Sequence, residues 1–354
     1  MSNTISELNI KTFRGIHDLS LKNLSTINVF VGVNNTGKTS VLEAIKLISS
    51  PEDVGNLIKL SQLRADSYTK NTNKIIECIS TMLTKETEKD EETNENIYTY
   101  NLNITAKINE NNYQYEVSGY YNKIRSSLGD INKAFSFSTR LQENSKKAEY
   151  KTHKIESGKV EEFDLLENKL FDCIYAHSKT AIYRTCITYL TETILKEQKE
   201  VLLTTLKMFD KNIEDILVLG DDIYIQNKFS GIMPLFTYGA GMQKAIFLST
   251  LLNMCNGGVV LVDEVDNTIN ASAFKEIFGW FIDTCKNLRV QAFITTHSME
   301  AVDAILEYAK NNENDDIRII TLRKDSELNK TRALVRTGFE AYSSRKEFEM
   351  ELRV

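Results

Sequence analysis

The segment Gly32-Val-Asn-Asn-Thr-Gly-Lys-Thr39 fills every fixed position of a G-x-x-x-x-G-K-[ST] phosphate-binding loop. Such a loop constrains a fold strongly, because it works only where a buried strand delivers it and a helix leaves from it. Both flanks are legible: Ile27-Asn-Val-Phe-Val31 reads as a buried strand, and Ser40-Val-Leu-Glu-Ala-Ile-Lys-Leu-Ile48 as an amphipathic helix. Glycines at 32 and 37 let backbone N–H groups converge on phosphate oxygens, with Asn34, Asn35 and Thr36 between them and Ser40 on the outgoing helix. Lys38 adds a point charge, and the Thr39 hydroxyl is placed to ligate a metal ion. The segment therefore predicts a bound ATP or GTP with Mg2+.

Three later segments extend this reading. Gly257-Gly-Val-Val-Leu-Val-Asp263-Glu264 is a strand ending in an acidic pair. Asp263 is expected to hold Mg2+ directly or through water, and Glu264 to orient or deprotonate an attacking water. A further strand, Val290-Gln-Ala-Phe-Ile-Thr-Thr-His297, ends in a polar sequence whose histidine needs a reason; beside the acidic strand, that reason is the site. Upstream, Phe236-Thr-Tyr-Gly239-Ala240-Gly241-Met-Gln-Lys opens a helix with glycines and offers free N–H groups, a second anion site. One chain carries one phosphate loop. The second site is therefore expected to serve a nucleotide held by another copy, which implies dimerisation.

Composition narrows the remaining classes. With 354 residues and 42% apolar content the chain is globular and large enough for one big core or two lobes. A net charge of −6 argues against wholesale counterion release onto duplex DNA, so any nucleic-acid contact is local or made by a partner. The five cysteines form no C-x-x-C and do not pair with histidines, which points to reduced thiols and no zinc site. No leader pattern opens the sequence and no apolar run approaches a bilayer span, so a cytoplasmic location without membrane contact is expected.

Residues 5–31 alternate apolar and polar side chains, predicting two to three short strands around Phe13-Arg14-Gly15. Period-two patterning in Ile75–Ile79, Tyr98–Ala106 and Tyr113–Tyr121 predicts an antiparallel β lobe over 73–123, with the acidic run Glu86–Asn96 as a solvated hairpin tip. Residues 124–165 are polar and read as loops and short helices, and Thr188–Phe209 as one long helix, giving a helical insertion lobe over 124–229. Residues 1–72 and 230–354 would form the nucleotide-binding core of a single domain. Strands at Ile317–Leu322 and Arg332–Arg336 and a terminal helix close it.

The order of phosphate loop, glycine-rich signature before a helix, apolar-Asp-Glu strand and strand ending in histidine resembles ABC-type ATPases. Within them the chain is similar to the soluble group related to the overcoming-lysogenisation-defect (OLD) proteins. The resemblance implies an α/β ABC-type P-loop ATPase head with a mixed central sheet, an antiparallel β lobe and a helical lobe. It implies two heads clamping two ATP molecules head to tail, each nucleotide on Gly32 to Thr39 of one subunit and under Gly239, Ala240 and Gly241 of the other. Glu264, His297 and Lys38 would be the catalytic set, with His297 sensing the γ-phosphate, and Arg14 would lie near the base, ribose or α-phosphate. Three departures stand out. The signature lacks the usual serine and has Thr237 and Tyr238 nearby; Thr268-Ile-Asn270 replaces a Gly-Leu-His sequence; and the metal-coupling glutamine is unassigned, Gln62 being the candidate. Slow hydrolysis is expected.

No TOPRIM nuclease domain fits in the stretch after His297, and no coiled-coil arms are present. The resemblance thus implies a switch that regulates a separately encoded effector, possessing TOPRIM or HNH nuclease chemistry, as in two-gene anti-phage systems resembling PARIS or Septu. The alternative is a RecF-like repair ATPase that grips duplex DNA when closed on ATP. A transporter ATPase subunit is a third reading.

Overall fold

The computed structural model describes residues 4–65, 70–89, 96–125, 131–156, 169–178, 182–195, 199–313, 315–325, 327–347 and 351–352. Strands β1 (Ile5–Phe13) and β2 (Ile16–Leu21) form a hairpin that turns at Arg14-Gly15, with Arg14 at φ 50°. Strand β3 (Ile27–Val31) is buried at every position and delivers the phosphate loop to helix α1 (Lys38–Ser49). Helices α2 (Val54–Gln62) and α3 (Thr72–Met82) follow, each capped by a side chain that accepts from the first turn, Asp53 and Asn71 respectively.

Strands β4 (Thr84–Lys89), β5 (Asn96–Ile108), β6 (Asn111–Arg125), β7 (Ile131–Glu143) and β8 (Lys151–Glu156) then join β1 and β2 in one antiparallel sheet. Its order is β2-β1-β5-β6-β7-β8, with β4 also on β5. After β9 (Cys173–Ala176), helices α4 (Ile182–Leu195) and α5 (Lys199–Phe209) lead to a small sheet of β10 (Ile213–Leu219), β11 (Asp222–Asn227) and β12 (Gly231–Pro234). The rest of the chain alternates helix and strand: α6 (Ala240–Met254), β13 (Val259–Val262), α7 (Phe274–Asn287), β14 (Gln291–Thr295), α8 (Met299–Asn311), β15 (Ile317–Asp325), β16 (Lys330–Thr337) and α9 (Gly338–Glu347).

The central sheet runs β16-β15-β3-β14-β13-β9. All its pairings are parallel except β15 with β16, so it is mixed. Parallel strands need both faces covered, and two cores do this. Ile27, Val29 and Val31 face one way, into a core with Leu248 of α6, Phe278 of α7 and Ile305 of α8. Phe30 faces the other, into a core with Val41 and Ile45 of α1 and with Ile10, Ile104 and Phe135 of the antiparallel sheet. Helix α1 is therefore held between two sheets. The buried Gln291 amide bolts the sheets together: it accepts from Ile5 N at 2.8 Å and donates to the carbonyls of Ile5 (2.8 Å) and Ser25 (2.9 Å).

The expected fold class holds: an α/β P-loop ATPase head with a mixed central sheet, an antiparallel β lobe and additional helices. Two local expectations do not. Ile75–Ile79 lies in α3, where Ile76, Ile79 and Met82 recur every third residue on the buried side and Asn71 caps the start. The polar stretch after residue 124 contributes β7 and β8, because Phe135 and Phe137 fill the core while serines alternate with them. The expected long helix is helical over Ile182–Leu195 (α4) and Lys199–Phe209 (α5), and residues 196–198 between them lie outside the described residues. The acidic run is strand in part, Glu86–Lys89 in β4, and its centre lies outside the described residues. Among the described residues, no helix is long and apolar enough to cross a membrane.

Candidate functional site

In a parallel sheet, strand C-termini share one edge, and ligands gather in the crevice beyond it. Here the register aligns Val262 with Ala176 on one side and with Ile294 on the other, and Ile294 with Val29. Continuing each strand past that level brings His177, Asp263, Thr295 and the phosphate loop to one edge. Beyond it opens a cleft of about 420 Å³, lined by residues 34–40, Arg64, His177, Ser178, Asp263, Glu264 and His297.

The loop adopts the shape its glycines allow. Gly32 has φ +149°, and a Cβ there would stand 2.6 Å from the Leu322 carbonyl oxygen and 2.9 Å from Thr36 Oγ1. Gly37, at φ +99°, caps the start of α1. Asn35 also takes a left-handed conformation, φ 64°. The buried Lys38 side chain donates from Nζ to the carbonyls of Gly32 (2.8 Å) and Val33 (3.0 Å). Burial pushes its pKa down, opposed by the carboxylates of Asp263 and Glu264.

The acidic strand meets the loop through hydrogen bonds. Thr39 Oγ1 donates toward both Asp263 carboxylate oxygens, at 3.1 and 3.2 Å, and Thr295 Oγ1 donates to Asp263 Oδ1 at 2.7 Å. Thr295 Oγ1 also accepts from Glu264 N at 2.8 Å. Glu264 itself sits at φ 51°, a conformation that costs a branched or bulky residue about 1–3 kcal/mol and persists where the surroundings enforce it. A backbone bond from Asn267 N to Glu264 O (3.0 Å) closes the turn that holds it there. Ser298 caps α8 by accepting from Ala301 N at 3.1 Å, which fixes the chain just after His297.

This donor set fits a triphosphate with magnesium. Mg2+ is ordinarily held by one or two protein ligands plus phosphate oxygens and water. Thr39 and Asp263 supply such a pair, and among the described residues no cluster of three or more His, Cys, Asp or Glu side chains offers a closed metal cage.

Not every expected residue reaches the cleft. Gly32 precedes the lining residues and is not among them. Arg14 is directed away from the lining: its Nε lies 2.6 Å from Glu43 Oε2, and Glu43 is fully buried. Burial lowers the Arg14 pKa, against the opposing pull of Glu43. Arg64 lines the cleft where Arg14 does not: it binds Glu43 through Nε (2.9 Å) and Nη2 (2.8 Å) and donates to Ser40 Oγ at 2.9 Å. Gln62 is buried in α2 and does not line the cleft. Gly239 and Ala240 are exposed and Gly241 half-buried at the start of α6, all three outside this cleft. The residues that sequence reasoning missed are Arg64, His177, Ser178 and Lys244. Only the polar pair closing the short apolar run Cys173–Ala176 could have signalled two of them, His177 and Ser178.

The family described as "AAA domain, putative AbiEii toxin, Type IV TA system" matches residues 27–303, which takes in the loop, both acidic residues and His297. The chain belongs to this family. It is similar to an "ATP/GTP phosphatase" of Helicobacter pylori, 21% identical over 355 residues, covering 91% of this chain and 93% of that protein. It is also similar to an uncharacterized protein of Methanocaldococcus jannaschii, 32% identical over 89 residues, covering 25% of this chain and 77% of that one. Among solved structures, an SMC head domain from Thermotoga maritima superposes with a TM-score of 0.46 at 11% identity, covering 93% of this chain and 98% of that one.

Proposed function

We propose that the chain is an ATP-hydrolysing switch of the ABC type that acts in the cytoplasm. It dimerises head to tail around nucleotide and regulates a separately encoded effector, a nuclease of TOPRIM or HNH chemistry, in anti-phage defence. The observation that carries this reading is the contact of Thr39 with Asp263 at 3.1 Å, in one cleft with Glu264 and His297, while Gly239–Gly241 stand outside that cleft. The family's description, which names a toxin and a type IV TA system, supports a second gene product as partner. The relative described as an ATP/GTP phosphatase supports hydrolysis.

On this reading the loop N–H groups and Lys38 hold the β- and γ-phosphates, and Thr39 and Asp263 hold Mg2+, which neutralises charge on the phosphates when bound. Glu264 orients the attacking water and takes its proton, and His297 contacts the γ-phosphate. A second copy presents Gly239, Ala240 and Gly241 to the same nucleotide.

Glu264→Gln tests the core of the proposal. Substitution of the base lowers turnover by about 100-fold or more, while nucleotide affinity stays near wild type. In ATP-Mg the variant accumulates as a dimer that retains the co-expressed neighbouring gene product, read by native mass spectrometry. Unchanged phosphate release would rule out Glu264 as the base, and a monomer with nothing bound would rule out the switch.

A further inference from the structure

Helix α6 buries a lysine where its neighbours are Ala245, Ile246, Phe247 and Leu248. Lys244 is 4% exposed. An ammonium in such a place is costly and is normally matched by partners that fix its position. Its Nζ donates to the Asn267 carbonyl at 3.3 Å, and the charges it faces are Asp266 and Glu264. Asp266 Oδ1 is buried there without a hydrogen-bond partner. A small cavity of about 20 Å³ joins Lys244 to Asp263, Glu264, Asn267, His177 and Ser178. Asn267 is the residue whose N–H closes the turn on Glu264 O, so one residue, through the peptides on its two sides, links the lysine to the strained glutamate.

The lysine is also close to the other end of the helix. Residue 244 stands one turn beyond Ala240, about 6 Å along the axis, and Gly241 to Phe247 is continuous helix. A shift of the exposed N-terminal turn is carried to Nζ almost rigidly. Met242 N and Gln243 N both bond to Gly239 O, so that first turn is already formed. A purely structural role would be better served by an apolar side chain, which would spare the desolvation.

We infer that Lys244 is a positioning residue that couples the N-terminal turn of α6 to the Glu264 turn through the Asn267 carbonyl. Contact of a second copy's nucleotide with Gly239–Gly241 thereby sets where Glu264 stands in its own cleft. The inference rests on the hydrolytic reading above and adds a route by which dimerisation licenses turnover.

The test compares Lys244→Met and Glu264→Gln in the full chain, measuring ATP affinity with a fluorescent ATP analogue, steady-state phosphate release, and dimer mass in ATP-Mg. Lys244→Met is expected to bind ATP and dimerise as wild type, with KM within about threefold and kcat down about tenfold or more, the split of a lost transition-state arrangement. The Lys244→Met, Glu264→Gln double variant should be no slower than Glu264→Gln alone, because both act through one group. Lys244→Met with wild-type kcat, beside an inactive Glu264→Gln, overturns the coupling and leaves the hydrolytic reading intact. A fully active Glu264→Gln removes the hydrolytic reading itself. Should Lys244→Met unfold, Asn267→Pro, which removes the N–H that closes the turn on Glu264 O, serves as the second variant; wild-type kcat there would equally overturn the coupling.

Discussion

Glu43 is a buried carboxylate set between two guanidinium groups, and Glu43→Gln exposes what that pairing offsets. The carboxylate is fully buried and meets two guanidinium groups, Arg14 at 2.6 Å and Arg64 at 2.8 Å. The Arg64 side chain is 41% exposed and can turn toward water, whereas Arg14 is 10% exposed and cannot. Removing the charge therefore strands one buried cation, and breaking a buried pair in this way costs about 3–5 kcal/mol. Glutamine keeps an acceptor for Arg64, which places the expected loss near the low end. With a urea slope of about 3 kcal/mol per molar, the unfolding midpoint falls by about 1 M. Glu143, whose partner Lys146 is 72% exposed, provides the contrast: Glu143→Gln costs less than about 1 kcal/mol. A further variant separates charge from packing, since adding Arg14→Met to Glu43→Gln removes the stranded cation and should recover part of the loss. A midpoint shift below about 0.3 M, or a double variant weaker than the single, would refute the reasoning. Nucleotide affinity falls as well, because Arg64, aimed at Ser40 by two bonds to the carboxylate, is left with a single neutral acceptor.

Two other outcomes follow from the same geometry. Burial lowers the Lys244 pKa from the ordinary 10.5 to about 8, against the pull of Asp266 and Glu264. Between those values the unfolded chain binds more protons than the native one, so stability rises with pH across that window and the full penalty, about 3 kcal/mol, is present below pH 8. Lys244→Met should therefore be more stable than wild type at pH 7 by up to that amount, with the gap closing by pH 10 in urea titrations; a less stable variant at pH 7 contradicts the sign. Gly32→Ala places a Cβ 2.6 Å from the Leu322 carbonyl at φ +149°, so it should weaken nucleotide binding at least about tenfold and cost about 1–3 kcal/mol, read by nucleotide titration and melting.

What the sequence made legible was local chemistry. The phosphate loop, the Asp263-Glu264 strand end and the Thr-Thr-His297 strand end are contiguous segments whose flanks have the right period, and the fold brings all three to one cleft. What it concealed was assembly. Strand β9 is four residues long, too short for its period to be read, yet its parallel pairing with β13 is what brings His177 level with Asp263. Arg14 and Arg64 look alike in sequence; only the packing of α2 against α1 decides that Arg64 faces Ser40 while Arg14 turns inward to Glu43. The error over Ile75–Ile79 has the same origin, since four apolar side chains within five residues satisfy both periods, and the Asn71 cap was the signal that favoured helix.

The cleft is built from parts that differ in how firmly they are held, and this bears on which kinetic constant each can control. Asp263 lies at the end of a strand paired on both sides, its N–H bonded to the Ala176 carbonyl at 2.9 Å and its carboxylate fixed by Thr39 and Thr295. Moving it would break the ladder of the central sheet. Glu264 is one residue further on, yet it rides a left-handed turn closed by a single backbone bond from Asn267 and gripped by Lys244 on a different helix. The Asn267 side of that turn can change at the cost of the Asn267–Glu264 and Lys244–Asn267 hydrogen bonds, each about 1 kcal/mol, while the bond from Glu264 N to Thr295 Oγ1 keeps the strand side and the metal-side contacts in place. Substitutions among Gly32, Lys38, Thr39, Asp263 and Thr295 should therefore act on nucleotide affinity and turnover together. Those in the Glu264–Asn267 turn and at Lys244 should act on turnover alone. A site divided in this way can hold its nucleotide while waiting for a second copy, which is what a switch with slow hydrolysis requires.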